Sequence, residues 1–262
     1  MLSVINSSIN LDIAPLWTFI LIAARLLALL FLLPGLGTDN IPESLRYFVG
    51  ILIAFTINMS IPKVPMPEEF HLILANILGE FAFGAILSLL PTFVLGGLLV
   101  SGQIVSGVIG LGQANMIDRS LGESISVLSK INLYVGTIIF LMINGHHVLL
   151  KASSEHIGFI QTLTQDDMGK AVDILSTCFS QSFELSIAIS SPILIATLVS
   201  QFLLGLITKF VPQLNVFIMS LPLSVLMGFY ILSFTMEPLA LKIKQEFAQL
   251  EEFAGALVNL IS

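Results

Sequence analysis

Charge is what this sequence has least of. Only 10% of its 262 residues are Asp, Glu, Lys or Arg, and 56% are hydrophobic, whereas a water-soluble domain carries roughly 25% charged residues. So few charges cannot solvate an exterior of this size, and lipid or partner protein must be the solvent for much of it. Cysteine is nearly absent as well. Cys178 stands alone in an apolar run, which excludes an intrachain disulfide and a thiolate metal cluster and leaves a small buried apolar side chain. The formal charge of −7 is spread over connecting segments and the carboxyl end. No Lys/Arg block and no aromatic-basic interleaving is present, so nucleic acid is excluded as a partner. Catalytic apparatus is also missing. There is no phosphate-cradling glycine loop, no His-Glu-x-x-His and no nucleophile in a recognisable setting, so the chain reads as a non-enzyme without a cofactor.

What is present is a series of apolar runs: Ile13 to Leu36, Leu45 to Ile61, Leu72 to Ile117, Ile125 to Leu150, Ile174 to Ile207 and Val211 to Leu241. In hydrocarbon, backbone groups must be satisfied within the segment, so these runs predict helices and an all-α, membrane-type protein of helical hairpins. Met1 to Asp12 holds no Lys or Arg and no small-residue cleavage pattern, and it reads as the start of a retained first helix. As one helix, Leu72 to Ile117 would extend roughly 69 Å, more than twice a hydrocarbon core of about 30 Å. A break is therefore expected at Gly96 and Gly97, just beyond Pro91. Ile174 to Ile207 and Val211 to Leu241 are also overlong and contain Pro192 and Pro222, which predicts kinked or re-entrant hairpins. The connections, at Gly37 to Ser44, Pro62 to Glu69, Asp118 to Glu123 and Lys151 to Asp173, read as hairpin turns within one unit spanning residues 1–262. After Pro238 the apolar residues Ile243, Phe247, Leu250, Ala254, Leu257 and Ile261 recur every three or four positions, which predicts an amphipathic helix over about 239–261. The acidic pair Glu251 and Glu252 favours packing on protein over anionic lipid. Lys242 and Lys244 point weakly to a cytoplasmic carboxyl end.

Five ionisable residues interrupt the apolar runs: Arg25, Glu80, Lys130, Glu184 and Glu237. Facing lipid each costs several kcal/mol, so each is expected to face protein, water or an opposite charge. Two readings stand, an ion pair that fixes helix register and a proton path, and the spacing favours the first. The group Asn144-Gly145-His146-His147 with Glu155-His156 matches no zinc spacing, and no metal site is expected. In Ser101 to Asp118, small residues at Gly102, Ser106 and Gly110 form a strip that admits a neighbouring helix. Beyond them Gly107, Gly110, Leu111 and Gly112 lead into Gln113, Asn115 and Met116, where a permissive backbone meets polarity and a flexible thioether. Ordinary helix packing and a deformable loop beside a pore are both consistent with that pattern. Pro212, Gln213 and Asn215, between two apolar runs, suit a hairpin turn.

Four landmarks in order carry a resemblance to a known family: Leu33-Pro34-Gly35-Leu36-Gly37 with Ile41-Pro42 and Arg46; Gly102-Gln103 through Gly110-Leu111-Gly112 with Asp118; Asn144-Gly145-His146-His147; and Val211-Pro212-Gln213-Leu214-Asn215-Val216-Phe217 with Leu221-Pro222. Over nearly its whole length the chain resembles the FliR family of flagellar biosynthetic proteins and its counterpart in virulence-associated type III secretion. It departs in lacking a proline in Lys151 to His156 and in having Thr208-Lys209 where a basic residue such as arginine is more common. The resemblance implies a subunit with FliP-like and FliQ-like parts, packed into a helical export gate with FliP and FliQ and contacted by FlhB. The gate lies in the bacterial inner membrane at the flagellar basal body and passes unfolded flagellar substrates. It also implies that the loop around Gly107 to Gly122 is a plug at the closed pore, with Met116 in its seal. A proton-coupled small-molecule transporter using Glu80, Lys130 and Glu184 is the alternative, and it calls for paired inverted repeats.

Overall fold

A computed structural model describes residues 13–33, 42–111, 125–158, 165–210 and 216–260. Among them the secondary structure is entirely helical. The elements are α1 (Ala14–Leu32), α2 (Glu43–Ser60), α3 (Phe70–Ile109), α4 (Val127–Met142), α5 (Gly145–Ser154), α6 (Gln165–Phe210) and α7 (Val216–Asn259). Helices α1, α3, α6 and α7 are each long and apolar enough to cross a membrane.

The expected breaks are not where the prolines and glycines suggested. Helix α3 runs unbroken for 40 residues through Pro91, Gly96 and Gly97, α6 for 46 residues through Pro192, and α7 for 44 residues through Pro222 and Pro238. The helix predicted after Pro238 is therefore the distal part of α7. Hydroxyl groups take up backbone carbonyls beside two of these prolines, Pro91 and Pro192. Thr92 Oγ1 donates to the Ser88 carbonyl at 2.6 Å and Ser88 Oγ to that of Ala85 at 2.7 Å. Ser191 Oγ donates to the Ala188 carbonyl at 3.2 Å, the acceptor that Pro192 cannot serve. Gly97 serves packing rather than bending, because a Cβ there would meet the backbone carbonyl of Ser182 on α6.

The real breaks are made by backbone geometry. Gly110, at φ +89°, stops α3 in the left-handed conformation that glycine adopts freely. Asn144, at φ +59°, separates α4 from α5, and its amide N–H bonds the Leu141 carbonyl at 3.1 Å. The segment read as a long connection from Lys151 to Asp173 is partly helical, since α5 reaches Ser154 and α6 starts at Gln165.

The chain divides into two compact units. The first comprises residues 1–92, 146–175 and 251–262, and the second residues 93–145 and 176–250. A core in the first gathers Ile22, Leu26 and Ala54, with Ile53, Ile57 and Leu150 against them. A core in the second gathers Val105, Ile109, Leu128 and Ile193, with Leu111, Ile231 and Leu232 against them. The distal face of α7 is buried at Ile243, Phe247, Leu250, Ala254 and Leu257, and Phe247 packs on Phe140 with ring centroids 5.3 Å apart. That face meets protein of this chain.

Candidate functional site

In the first unit the chemistry centres on Arg25. Glycine at position 84 is what brings α1 and α3 together there, since any Cβ would collide with the Arg25 carbonyl. One helical turn before Gly84 lies Glu80. Arg25 and Glu80 are both fully buried, and Arg25 Nε donates to Glu80 Oε2 at 2.6 Å. The rest of the guanidinium serves the chain that follows α5. Nη1 donates to the carbonyls of Ser153 and Glu155 at 3.2 and 2.6 Å, and Nη2 to that of His156 at 3.0 Å. Glu80 Oε1 accepts the Gly158 N–H at 2.6 Å, and the guanidinium lies 4.6 Å from the Phe83 ring centroid. The planar fork of arginine suits this task, because its donors diverge toward one carboxylate and three carbonyls at once. Charge is neutralised and both side chains are bonded, which is the condition for holding them away from water. The arrangement fixes three segments against each other and offers no open position for a substrate.

The second unit holds the stems of the glycine-rich loop. Gly107 is still helical, so the chain leaves α3 at Gly110, three residues later than the start of the loop that the family resemblance implied. The small-residue strip is used: a Cβ at Gly102 would meet the backbone of Leu128 and Ser129 on α4. Ser126 caps α4, its Oγ accepting the Ser129 N–H at 3.1 Å. The same oxygen lies 2.8 Å from Ser129 Oγ and 3.4 Å from the Gly102 carbonyl. Gln103 Oε1 accepts from Ser129 Oγ at 3.0 Å and from the Ser126 N–H at 3.4 Å. One turn further along, Asn132 Nδ2 donates to Ser101 Oγ at 3.1 Å and to the Leu98 carbonyl at 3.4 Å. Leu111 then packs on the apolar core of this unit. Gly112, Gln113, Asn115 and Met116, and likewise Pro212, Gln213 and Asn215, lie outside the described residues.

Three embedded charges remain. Lys130 is half-buried on α4, while Glu184 on α6 and Glu237 on α7 are exposed among exposed apolar side chains such as Phe183, Ile187, Phe234 and Leu241. His146 and His147 place their rings 4.2 Å apart, and among the described residues no three of His, Cys, Asp and Glu gather as metal ligands would. In the second unit Pro192 and Pro238 line a cleft of about 190 Å³ with Ala188, Thr235 and Lys242.

Sequence reasoning named Arg25 and Glu80 but not the carbonyls of Ser153, Glu155 and His156, which no side-chain pattern announces. It named Gly102 and Gln103 as landmarks without their contacts. The Ser126–Ser129 spacing ahead of an apolar run is the capping signal that would have marked where α4 begins.

The model of the bacterial export proteins, family 1, matches residues 16–250, a span that holds both units' polar clusters. This chain belongs to that family. Its relatives within the family include the flagellar biosynthetic protein FliR of Aquifex aeolicus, 26% identical over 88% of this chain and 89% of the relative. The FliR of Bacillus subtilis is 25% identical over 96% and 97% of the two chains. The surface presentation of antigens protein SpaR of Shigella sonnei is 26% identical over 79% and 80%. The FliR relatives match this chain over nearly the full length of both chains.

Proposed function

We propose that this chain is a structural, non-enzymatic subunit of a flagellar type III export gate, in the bacterial inner membrane at the basal body. It packs with FliP and FliQ, is contacted by FlhB, and helps enclose the passage for unfolded flagellar substrates. The observation that carries this reading, beside family membership, is how little of α6 and α7 the chain buries by itself. In their most apolar windows α6 and α7 are 28% and 11% buried, against 44% and 56% for α1 and α3. Glu184 and Glu237 stand on that uncovered surface, where lipid contact alone would be costly. Partner subunits and an aqueous passage satisfy both the apolar area and the carboxylates. A lining of small, flexible and apolar groups also suits a passage that must release every chain it admits. In this reading the loop that starts at Gly110 is the plug of the closed gate.

The test is deletion of Gly110 to Gly112 in the subunit expressed with FliP, FliQ and FlhB. The complex should still assemble, and the membrane should become leaky to small ions. Unchanged permeability with the deleted subunit assembled would overturn the plug. A lone subunit that transports without partners would overturn the whole reading.

A further inference from the structure

The loop proposed as the plug is flanked by one hydrogen-bonded cluster, which joins Gln103, about two turns before the end of α3, to Ser126 at the cap of α4. We propose that Gln103, Ser126 and Ser129, backed one turn away by Ser101 and Asn132, are the positioning residues of that loop. They lock the end of α3 to the start of α4 in a single register, so the chain between them starts and finishes at fixed points. The inference rests on the plug reading given above.

Four of these side chains are almost wholly inaccessible: Ser101 and Ser129 at 0%, Ser126 at 2% and Asn132 at 4%. Apolar side chains would pack α3 on α4 at least as well and would carry no desolvation cost. What directional bonds add is register, since a satisfied polar network specifies one arrangement where apolar faces admit sliding. The bonds are placed to do this. Gln103 projects from α3 and takes two donors from α4, the Ser126 N–H and the Ser129 hydroxyl. Asn132 returns from α4 to two acceptors on α3, Ser101 Oγ and the Leu98 carbonyl. Every donor of these bonds stands on α4 or its cap and every acceptor on α3, at two levels one turn apart, so a shift of either helix by one residue breaks both sets. Gly102 sits between them and lets the backbones touch. Beyond the cluster, Val105, Ile109 and Leu128 close the apolar core, and Leu111 is the last described residue before the loop.

The experiment uses the full chain co-expressed with its gate partners and reads two quantities: the amount of assembled complex and the ion permeability of the resting membrane. Gln103→Leu removes the shared acceptor, Ser129→Ala removes one hydroxyl only, and Gln103→Glu keeps an acceptor in place. The expected result is parental assembly with permeability raised severalfold in Gln103→Leu and, less strongly, in Ser129→Ala, while Gln103→Glu stays near the parent. If Gln103→Leu does not assemble, Ser129→Ala decides. Parental permeability in an assembled Gln103→Leu or Ser129→Ala complex overturns the inference, as does a leak that appears only in proportion to lost assembly. The deletion of Gly110 to Gly112 separates the two claims. A leaky deletion beside tight stem variants sinks this inference alone, and a tight deletion sinks the plug reading on which it rests.

Discussion

Replacing Arg25 by methionine keeps most of the side-chain volume and removes every donor of the guanidinium. Among the described residues the fully buried Glu80 then retains the Gly158 N–H, and the carbonyls of Ser153, Glu155 and His156 lose the guanidinium. Removing one member of a buried, bonded ion pair costs about 3–5 kcal/mol, which multiplies the population of locally opened molecules by a factor on the order of 100 or more. The first segment to feel it is the stretch from Ser153 to Gly158, which four hydrogen bonds tie to this pair and which Ile157 also packs on the core around Ile22 and Leu26. Protease digestion of membrane vesicles containing the assembled complex measures that opening, and cleavage near 153–158 should accelerate strongly in Arg25→Met. Glu80→Gln should lose less, because the amide oxygen still accepts from Gly158 and three carbonyls still surround the cation. The double variant Arg25→Met with Glu80→Met should be more resistant than Arg25→Met alone, since it strands no charge. Parental cleavage of Arg25→Met, or a double variant that is the most labile of the set, would refute the account of the pair.

Gly97→Ala should lower the thermal midpoint of the purified complex, by the equivalent of about 1–3 kcal/mol of overpacking against Ser182. Gly96→Ala, with nothing within 4 Å of the new methyl group, should be neutral or stabilise by up to about 1 kcal/mol through helix propensity. Asn144→Gly should leave the midpoint unchanged, whereas Asn144→Val, forced to φ +59°, should lose about 1–3 kcal/mol. Glu184→Leu should insert into the membrane at parental levels and recover several-fold less of the partner subunits on affinity purification. Undiminished recovery would place Glu184 outside the partner contacts.

The class of the fold was readable because it follows from composition. Runs of apolar residues with so few charges leave helix as the one backbone state available in hydrocarbon, and every regular element among the described residues is a helix. Where helices stop was far less readable. Pro91, Pro192, Pro222 and Pro238 all lie inside helices, since a proline removes only one backbone bond from a long ladder, and at Pro192 the Ser191 hydroxyl takes up the Ala188 carbonyl left without it. Gly96 and Gly97 look alike in sequence and differ entirely in surroundings, one open and one pressed against Ser182. Arg25 and Glu80 were legible as charges out of place. Their pairing was not, since residues 55 apart in sequence are brought together only by a glycine, Gly84, whose significance depends on the neighbouring helix.

The lengths of the helices bear on where the uncovered surface lies. At about 1.5 Å per residue, α6 and α7, with 46 and 44 residues, reach more than twice the thickness of a hydrocarbon core of about 30 Å. Lipid tails can cover only part of such a helix at any tilt that leaves it spanning. The remaining length is still apolar, as Phe179, Phe202, Phe210 and Phe229 are all exposed on this chain alone. Water does not stabilise that surface, and the chain has no further apolar face assigned to it among the described residues. Neighbouring subunits are the solvent that fits both its length and its composition, which is why membrane-like hydropathy in this chain reports assembly as much as insertion.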